Sequence, residues 1–269
     1  MSLDRLRLEG QVAIVTGGGR GVGRGIASVL AQAGAAVVVT ARTLEQIEDT
    51  VAHITAAGGR AIAVPGDATS RADGERAVQT ALNEFGRLDI LVNNVGGGTA
   101  KPFFDLTEDD LVRDFRLNTV STFLLTQIAA PHMMKNEGGG SVVNISSRAA
   151  DFPGRGRAPY GVAKAALEQL TRNMAMELAP KIRVNAIALG TVMTSGLQRY
   201  YDRGEGGKRE HSLATIPLHR EGDPEDIGLA TLYLCSAGCY ATGSVMHIDG
   251  GLPTTPATML AVAKAVAGQ

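Results

Sequence analysis

The sequence predicts an α/β protein built on a parallel sheet with helices on both faces. Three observations lead there. Short runs rich in β-branched residues alternate with stretches of helical apolar spacing. Glycine breaks separate the two. The first strand runs directly into a glycine-rich turn that opens a helix.

Val12-Ala13-Ile14-Val15-Thr16 is the first strand, and Gly17-Gly18-Gly19-Arg20-Gly21-Val22-Gly23 follows without a gap. Ile26, Ala27, Val29, Leu30 and Ala33 give one apolar helix face, Gly34 stops it, and Val37-Val38-Val39-Thr40 is the second strand. Strand, glycine turn, helix, strand is a βαβ unit, whose crossover makes its strands parallel. Such a turn lets backbone N–H groups and a helix N-terminus approach a pyrophosphate. Gly17, Gly19, Arg20, Gly21, Val22 and Gly23 are therefore candidate dinucleotide contacts. A carboxylate at the end of the second strand would accept from the ribose 2′-hydroxyl of NAD, but Thr40-Ala41-Arg42-Thr43 contains none. Arg42 can pair with a 2′-phosphate in forked geometry, with Thr43 beside it and Arg20 as a second cation. The expected cofactor is NADP(H) in preference to NAD(H).

A second cycle follows. Residues 44–57 read as a helix ended by Gly58-Gly59, and Ala61-Ile62-Ala63-Val64 as a strand leading to Asp67 and Ala68. The Asp67 carboxylate is placed to accept from an adenine amino group. Ala77, Val78, Ala81, Leu82 and Phe85 mark the next helix face. Leu88-Asp89-Ile90-Leu91-Val92 is a strand ending in Asn93-Asn94-Val95-Gly96-Gly97-Gly98. Sites in such sheets lie at the carboxyl ends of strands, which makes Asn94 and Gly96 cofactor candidates. Residues 115–134 read as one long apolar-faced helix with Asn118 inside it. A mid-helix asparagine competes for backbone bonds, which points to a distorted helix.

Ser141-Val142-Val143-Asn144-Ile145 reads as a buried strand, followed by the hydroxyls of Ser146 and Ser147. After a Gly/Pro/Arg loop, Tyr160 and Lys164 open a helix that continues with Ala163, Leu167, Leu170 and Met174 at apolar spacing. Tyr160 and Lys164 share one helix face, one turn apart. A phenol ordinarily titrates near pH ~10, and a nearby ammonium favours the phenolate. The pair is thus a candidate general acid/base. Arg183-Val184-Asn185-Ala186-Ile187 is a further strand, followed by a loop carrying Gly190, Val192 and Thr194. Residues 195–217, rich in Gly, Arg, Glu and Lys, are expected to form a mobile substrate lid with Leu197, Tyr200 and Tyr201 as contacts. Asp223-Pro224-Glu225-Asp226 carries helix start signals. Residues 243–248 are the final strand, and 253–269 a tail.

In their order and spacing these pieces resemble the short-chain dehydrogenase/reductase family. The matching elements are Thr16-Gly17-x-x-x-Gly21-x-Gly23, Asn93-Asn94-Val95-Gly96, Asn118, Ser147, Tyr160-x-x-x-Lys164 and Asp249-Gly250-Gly251. The resemblance implies a Rossmann-like, doubly wound, mostly parallel seven-stranded sheet in one dinucleotide-binding and catalytic domain, 1–269. It also implies a catalytic tetrad of Asn118, Ser147, Tyr160 and Lys164. Ser147 is preferred to Ser146 because the family serine precedes the tyrosine by thirteen positions. In that tetrad Lys164 also binds the nicotinamide ribose, Tyr160 is a further cofactor contact, Asn118 holds a relay water, and Gly190, Val192 and Thr194 face the nicotinamide carboxamide. The chain departs from the pattern at Val95, where alanine is usual, and at Leu189-Gly190, where Pro-Gly is usual. The family further implies a homotetramer, or a homodimer, paired through the helices that carry Asn118 and Tyr160.

A formal net charge of −1 offers no basic field for nucleic acid or an anionic membrane. Cys235 and Cys239 do not make a disulfide framework, and their spacing suggests buried neighbours on one helix. His53, His132, His211, His219 and His247 share no ligand spacing, so no metal site is expected. Neither a signal segment nor a spanning run is apparent, so the cytoplasm is the expected setting. The predicted activity is hydride transfer between a small-molecule carbonyl and its alcohol. Gly96-Gly97-Gly98-Thr99 and the lid suit a roomy pocket for a steroid-like, acyl or aromatic ketone. The competing reading is a catalytically silent cofactor-binding regulator or scaffold, against which the intact Asn118/Ser147/Tyr160/Lys164 set argues.

Overall fold

The computed structural model describes residues 3–202 and 209–251; the expected tail and the centre of the expected lid lie outside the described residues. Among them, seven strands form one sheet: β1 (Val12–Thr16), β2 (Ala36–Ala41), β3 (Arg60–Pro65), β4 (Ile90–Asn93), β5 (Gly140–Ser147), β6 (Ile182–Leu189) and β7 (Val245–Ile248). Their order is β3-β2-β1-β4-β5-β6-β7, and every pairing is parallel. The fold is the expected Rossmann-like one. The winding reverses between β1 and β4, where such folds open a crevice.

Alternation along the strands feeds two cores. Ala13, Val15, Val37 and Val39 pack beneath α1 (Gly21–Gln32), α2 (Leu44–Ala56) and α9 (Pro224–Cys235). Val12, Ile14 and Val38 pack against α3 (Arg71–Phe85) and, beyond α4 (Glu108–Phe115), against α5 (Ser121–Met133) and α6 (Ala158–Leu178). Both faces are buried, as all-parallel sheets require. Helix starts follow local chemistry. Ser70 caps α3 by accepting from Asp73 N, and Thr107/Asp110 and Asp223/Asp226 form reciprocal capping boxes on α4 and α9.

Asp89 joins β1 to β4 at their amino ends. Its buried carboxylate accepts from Val12 N at 2.9 Å, from Arg87 at 2.7 and 2.9 Å, and from Asn136 Nδ2 at 3.0 Å. Asp89→Ala strands the Val12 donor, and we expect a loss of roughly 2–3 kcal/mol in urea denaturation. A loss within experimental error would show that these bonds do not hold the strand ends.

Four sequence expectations are corrected. The helix expected over 115–134 begins earlier, with α4 at Glu108, and the distortion expected at Asn118 is a π-helical turn at Arg116–Val120 before α5, where Asn118 Nδ2 donates to Asp114 O. The lid is not irregular throughout. It contains α7 (Ser195–Asp202) and α8 (Arg209–Ala214). Glu221 ties both, accepting from Arg209 at 2.9 and 3.0 Å and from Tyr201. The side chain of Tyr200 lies outside the described residues. Cys235 and Cys239 are both buried but do not share a helix, since α9 stops at Cys235 where Ser236 turns extended. Burial pushes the Cys235 thiol up to about 12. The final strand is shorter than 243–248, because Gly243 has φ 72° and turns the chain before β7. No described helix is long and apolar enough to cross a membrane.

Candidate active site

The glycine turn between β1 and α1 forms one wall of a cleft of about 610 Å³. Gly17 takes φ +63°, and a Cβ added at Gly23 would lie 2.3 Å from the Gly17 carbonyl oxygen, so only glycine fits there. Asn94 braces this turn from β4: its Nδ2 donates to Thr16 O at 2.8 Å and to Gly17 O at 3.3 Å. Thr16 Oγ1 in return accepts from Asn94 N at 2.9 Å and from Val95 N at 3.2 Å. The sequence reading gave Asn94 a cofactor contact; in the structure its amide also holds the turn in shape.

Gly17, Gly19, Arg20, Gly21, Val22, Gly23, Arg42, Thr43, Asp67, Ala68, Asn94, Gly96 and Thr194 all line the cleft. Four predicted cofactor contacts do not: Tyr160 and Lys164, which meet the cleft only through the 96–98 stretch, and Gly190 and Val192. Val192 is buried and bridges to Gly222, while Gly190 donates to Ile248 O at 3.0 Å and packs against Asp249. They shape the Thr194 loop from behind. Arg24 is paired with Asp49 at 2.5 Å, whereas neither Arg20 nor Arg42 has an ion-pair partner among the described residues. Asp67 accepts from Thr69 N at 2.8 Å and from its hydroxyl at 2.7 Å. Those two bonds hold the Asp67 carboxyl below its ordinary range, with Arg42 adding to the effect.

The cleft meets the tetrad at residues 96–98. A Cβ added at Gly96 would sit 2.8 Å from Asn118 Oδ1 and 2.9 Å from Lys164 Nζ, and one at Gly98 would sit 2.4 Å from Tyr160 Cβ. One three-residue stretch thus touches Asn118, Lys164 and Tyr160, and its first member also lines the cleft. The Asn118 amide, fully buried, donates to Gly97 O and Asp114 O at 2.7 Å and accepts from Gly97 N at 3.2 Å. The π turn is what lets it reach both. Ser147 ends β5 and accepts from Ala149 N at 3.2 Å, and its side chain acts on the Tyr160 phenol. Ser146 points the other way and donates to Glu168 at 2.8 Å.

The electrostatics differ from the sequence expectation. Burial raises the Tyr160 phenol above its ordinary value, and the Ser147 hydrogen bond and the Arg157 charge pull it back only in part. Lys164 Nζ lies 5.8 Å from the tyrosine ring centroid and donates to Ile145 O at 2.7 Å. Burial lowers Lys164 itself to about 8, opposed by the Glu168 charge. Spacing places an ammonium near a phenol, but it cannot show that both are desolvated.

Several cleft residues escaped the sequence reading. Gln46, Thr69, Arg116, Leu117 and Ser195 line it too. Arg116 and Leu117 directly precede Asn118, and Thr69 follows Asp67, so their positions in sequence were available signals. Glu168 was likewise visible as a third polar position, one turn beyond Lys164. Among the described residues no group of three His, Cys, Asp or Glu side chains could hold a metal ion.

A family model described as enoyl-(acyl carrier protein) reductase matches residues 17–253. The chain is similar to an uncharacterized oxidoreductase of Mycobacterium tuberculosis (strain CDC 1551 / Oshkosh), 43% identical over 253 residues, covering 94% of this chain and 95% of that protein. It is also similar to the 7alpha-hydroxysteroid dehydrogenase of Escherichia coli (strain K12), 41% identical over 250 residues, covering 92% and 96%. A solved 7 alpha-hydroxysteroid dehydrogenase, complexed with NADH and 7-oxo glycochenodeoxycholic acid, superposes with a TM-score of 0.87 at 39% identity, covering 94% of this chain and 98% of that one. With the sheet order, the glycine turn and the ordered motifs, these matches fix the family: the chain belongs to the short-chain dehydrogenase/reductases, and it is an oxidoreductase.

Proposed function

We propose that the chain reduces a ketone to a secondary alcohol, reversibly, with NADP(H) as preferred cofactor and a steroid-like carbonyl compound as substrate. The observation that carries this is the meeting of Tyr160, Lys164 and Asn118 at the 96–98 stretch, on the wall of the dinucleotide cleft. The residues present suit the cofactor. The turn supplies backbone donors at the start of α1, where a pyrophosphate is favoured. Arg42 stands just past the end of β2 and Arg20 at the start of α1, both on the cleft wall, where they suit a 2′-phosphate. When bound, a nicotinamide supplies or accepts the hydride. The protein's own residues do the rest. Ser147 and Tyr160 hydrogen-bond the carbonyl oxygen, and Tyr160 gives its proton as negative charge develops there. Lys164, as a cation, stabilises the phenolate left on Tyr160 and binds the ribose hydroxyls, and Asn118 holds the 96–98 stretch and a relay water. The preference for a steroid-like substrate draws on the names of the relatives. The whole chain acts as one catalytic domain, with 195–217 as substrate lid. Exposed apolar side chains on the outer helices, among them Leu111, Phe115, Phe123 and Val162, support a homotetramer or homodimer.

One observation favours NAD(H) instead: the similar solved enzyme is complexed with NADH. Arg42→Ala separates the two. Loss of a charge-assisted contact should weaken NADPH binding by about 10- to 100-fold, while NADH binding stays nearly constant, as read by cofactor fluorescence. Equal affinities for both cofactors in both proteins would reject the NADP(H) preference. A panel of oxosteroids, acyl ketones and aromatic ketones tests the activity itself. NADPH binding without turnover of any would favour the silent scaffold.

A further inference from the structure

Tyr160, Lys164 and Glu168 recur at four-residue intervals along α6 and so occupy one face. The Glu168 side chain is only 4% exposed, and Lys164 only 3%. The two are also tied to adjacent residues of one strand: Lys164 Nζ donates to Ile145 O at 2.7 Å, and Ser146 Oγ donates to Glu168 Oε1 at 2.8 Å. Burying an ammonium is costly unless a counter-charge accompanies it. The chemistry above needs Lys164 charged but does not say what keeps it so.

We propose that Glu168 is a positioning residue for the reaction: its carboxylate is the counter-charge that keeps the buried Lys164 amine protonated, and it thereby sets the upper pH limit of turnover. This rests on the reading of Tyr160 and Lys164 as the acid/base pair. Burial drives Lys164 down, and Glu168 is the charge that opposes it. Glu168 is raised chiefly by its own burial, lowered by the Ser146 bond, raised by Asp151 on the turn after β5, and lowered by Arg172 on α6 and His247 on β7. Asp151 is in turn paired with Arg148 at 2.8 Å, a guanidinium it shares with Asp249 at 2.9 Å. Lys164 is charged below about 8 and neutral above. Withdrawing the Glu168 charge makes the ammonium harder to keep, so Lys164 loses its proton at lower pH and turnover falls off earlier.

The test uses the full chain with Glu168→Gln, which still accepts from Ser146 but carries no charge. The Lys164 midpoint is read directly by pH titration of ¹³Cε-labelled lysine in the ligand-free protein, with the resonance assigned by Lys164→Arg. The expected midpoint in Glu168→Gln lies lower by about one pH unit or more. The high-pH limb of kcat, measured with NADPH and a cyclic ketone, should move by the same interval, with KM changed by less than about twofold. Glu168→Asp withdraws the charge by one methylene; it should shift both readings partway and serves if the Gln variant fails to fold. An unchanged Lys164 midpoint in these variants overturns the proposal even if turnover drops, since a purely structural role would lower rate without moving the titration. A midpoint that moves while the limb of kcat does not also overturns it. The titration needs no substrate, so a protein that titrates as expected yet reduces no ketone upholds the charge pairing and refutes the reductase reading alone.

Discussion

Tyr160→Phe is expected to lower kcat by about 10²–10⁴-fold, the range for losing a general acid. The substitution keeps the ring, and with it the contact at Gly98 and the position over which Lys164 Nζ stands at 5.8 Å. It deletes only the hydroxyl, on which Ser147 acts. Tyr160 does not line the cofactor cleft, so NADPH affinity by fluorescence titration should stay within about twofold of the parent. Loss of turnover with binding retained is the signature of a group that acts only as charge develops. Parental rates in the variant would remove Tyr160 from the chemistry.

The second large effect is expected at Gly98. A Cβ there would meet Tyr160 Cβ at 2.4 Å, with Cγ and Cδ2 at 2.6 Å. These atoms lie next to the helix backbone and cannot rotate aside, so either the loop or the ring must move. A shift of about 1 Å in a reacting group costs on the order of 10²-fold, and that is the loss expected in kcat for Gly98→Ala. The neighbouring Gly97→Ala is the control. Its added Cβ would have as nearest neighbour Leu117 Cδ2 at 4.0 Å, so kcat should change little. Steady-state kinetics on the two variants side by side decide it. Equal losses would mean that the 96–98 stretch needs glycine for flexibility rather than for its approach to Tyr160.

Much of the molecule was legible in the chain because its elements are locally coherent. The strands at Val12 and Val37 are β-branched and both-face buried, so they read as apolar runs, and the glycine turn between them has a mechanical reason for each close approach. The Asp223/Asp226 box announced α9 by side chains that bond their own backbone. What was missed depends on contacts distant in sequence. The Thr107/Asp110 box could have started α4 seven residues earlier than read. Asn118 signalled a distortion locally, but not its π form or its bond to Gly97, twenty-one residues away. The lid helices likewise owe their placement to Glu221. Order and spacing singled out the candidate tetrad Asn118, Ser147, Tyr160 and Lys164, but not the electrostatics of Tyr160 and Lys164. Whether a lysine amine points at a phenol or at the Ile145 carbonyl is a matter of packing, and burial then governs both groups.

The central claim is that Tyr160 exchanges a proton with the oxygen of a carbonyl held beside a nicotinamide. A crystal structure of the full chain with NADP⁺ and a secondary alcohol tests it most directly. The alcohol oxygen should lie about 2.6–3.2 Å from both Tyr160 Oη and Ser147 Oγ. An alcohol oxygen bound elsewhere, with the dinucleotide seated on the 17–23 turn, would contradict it.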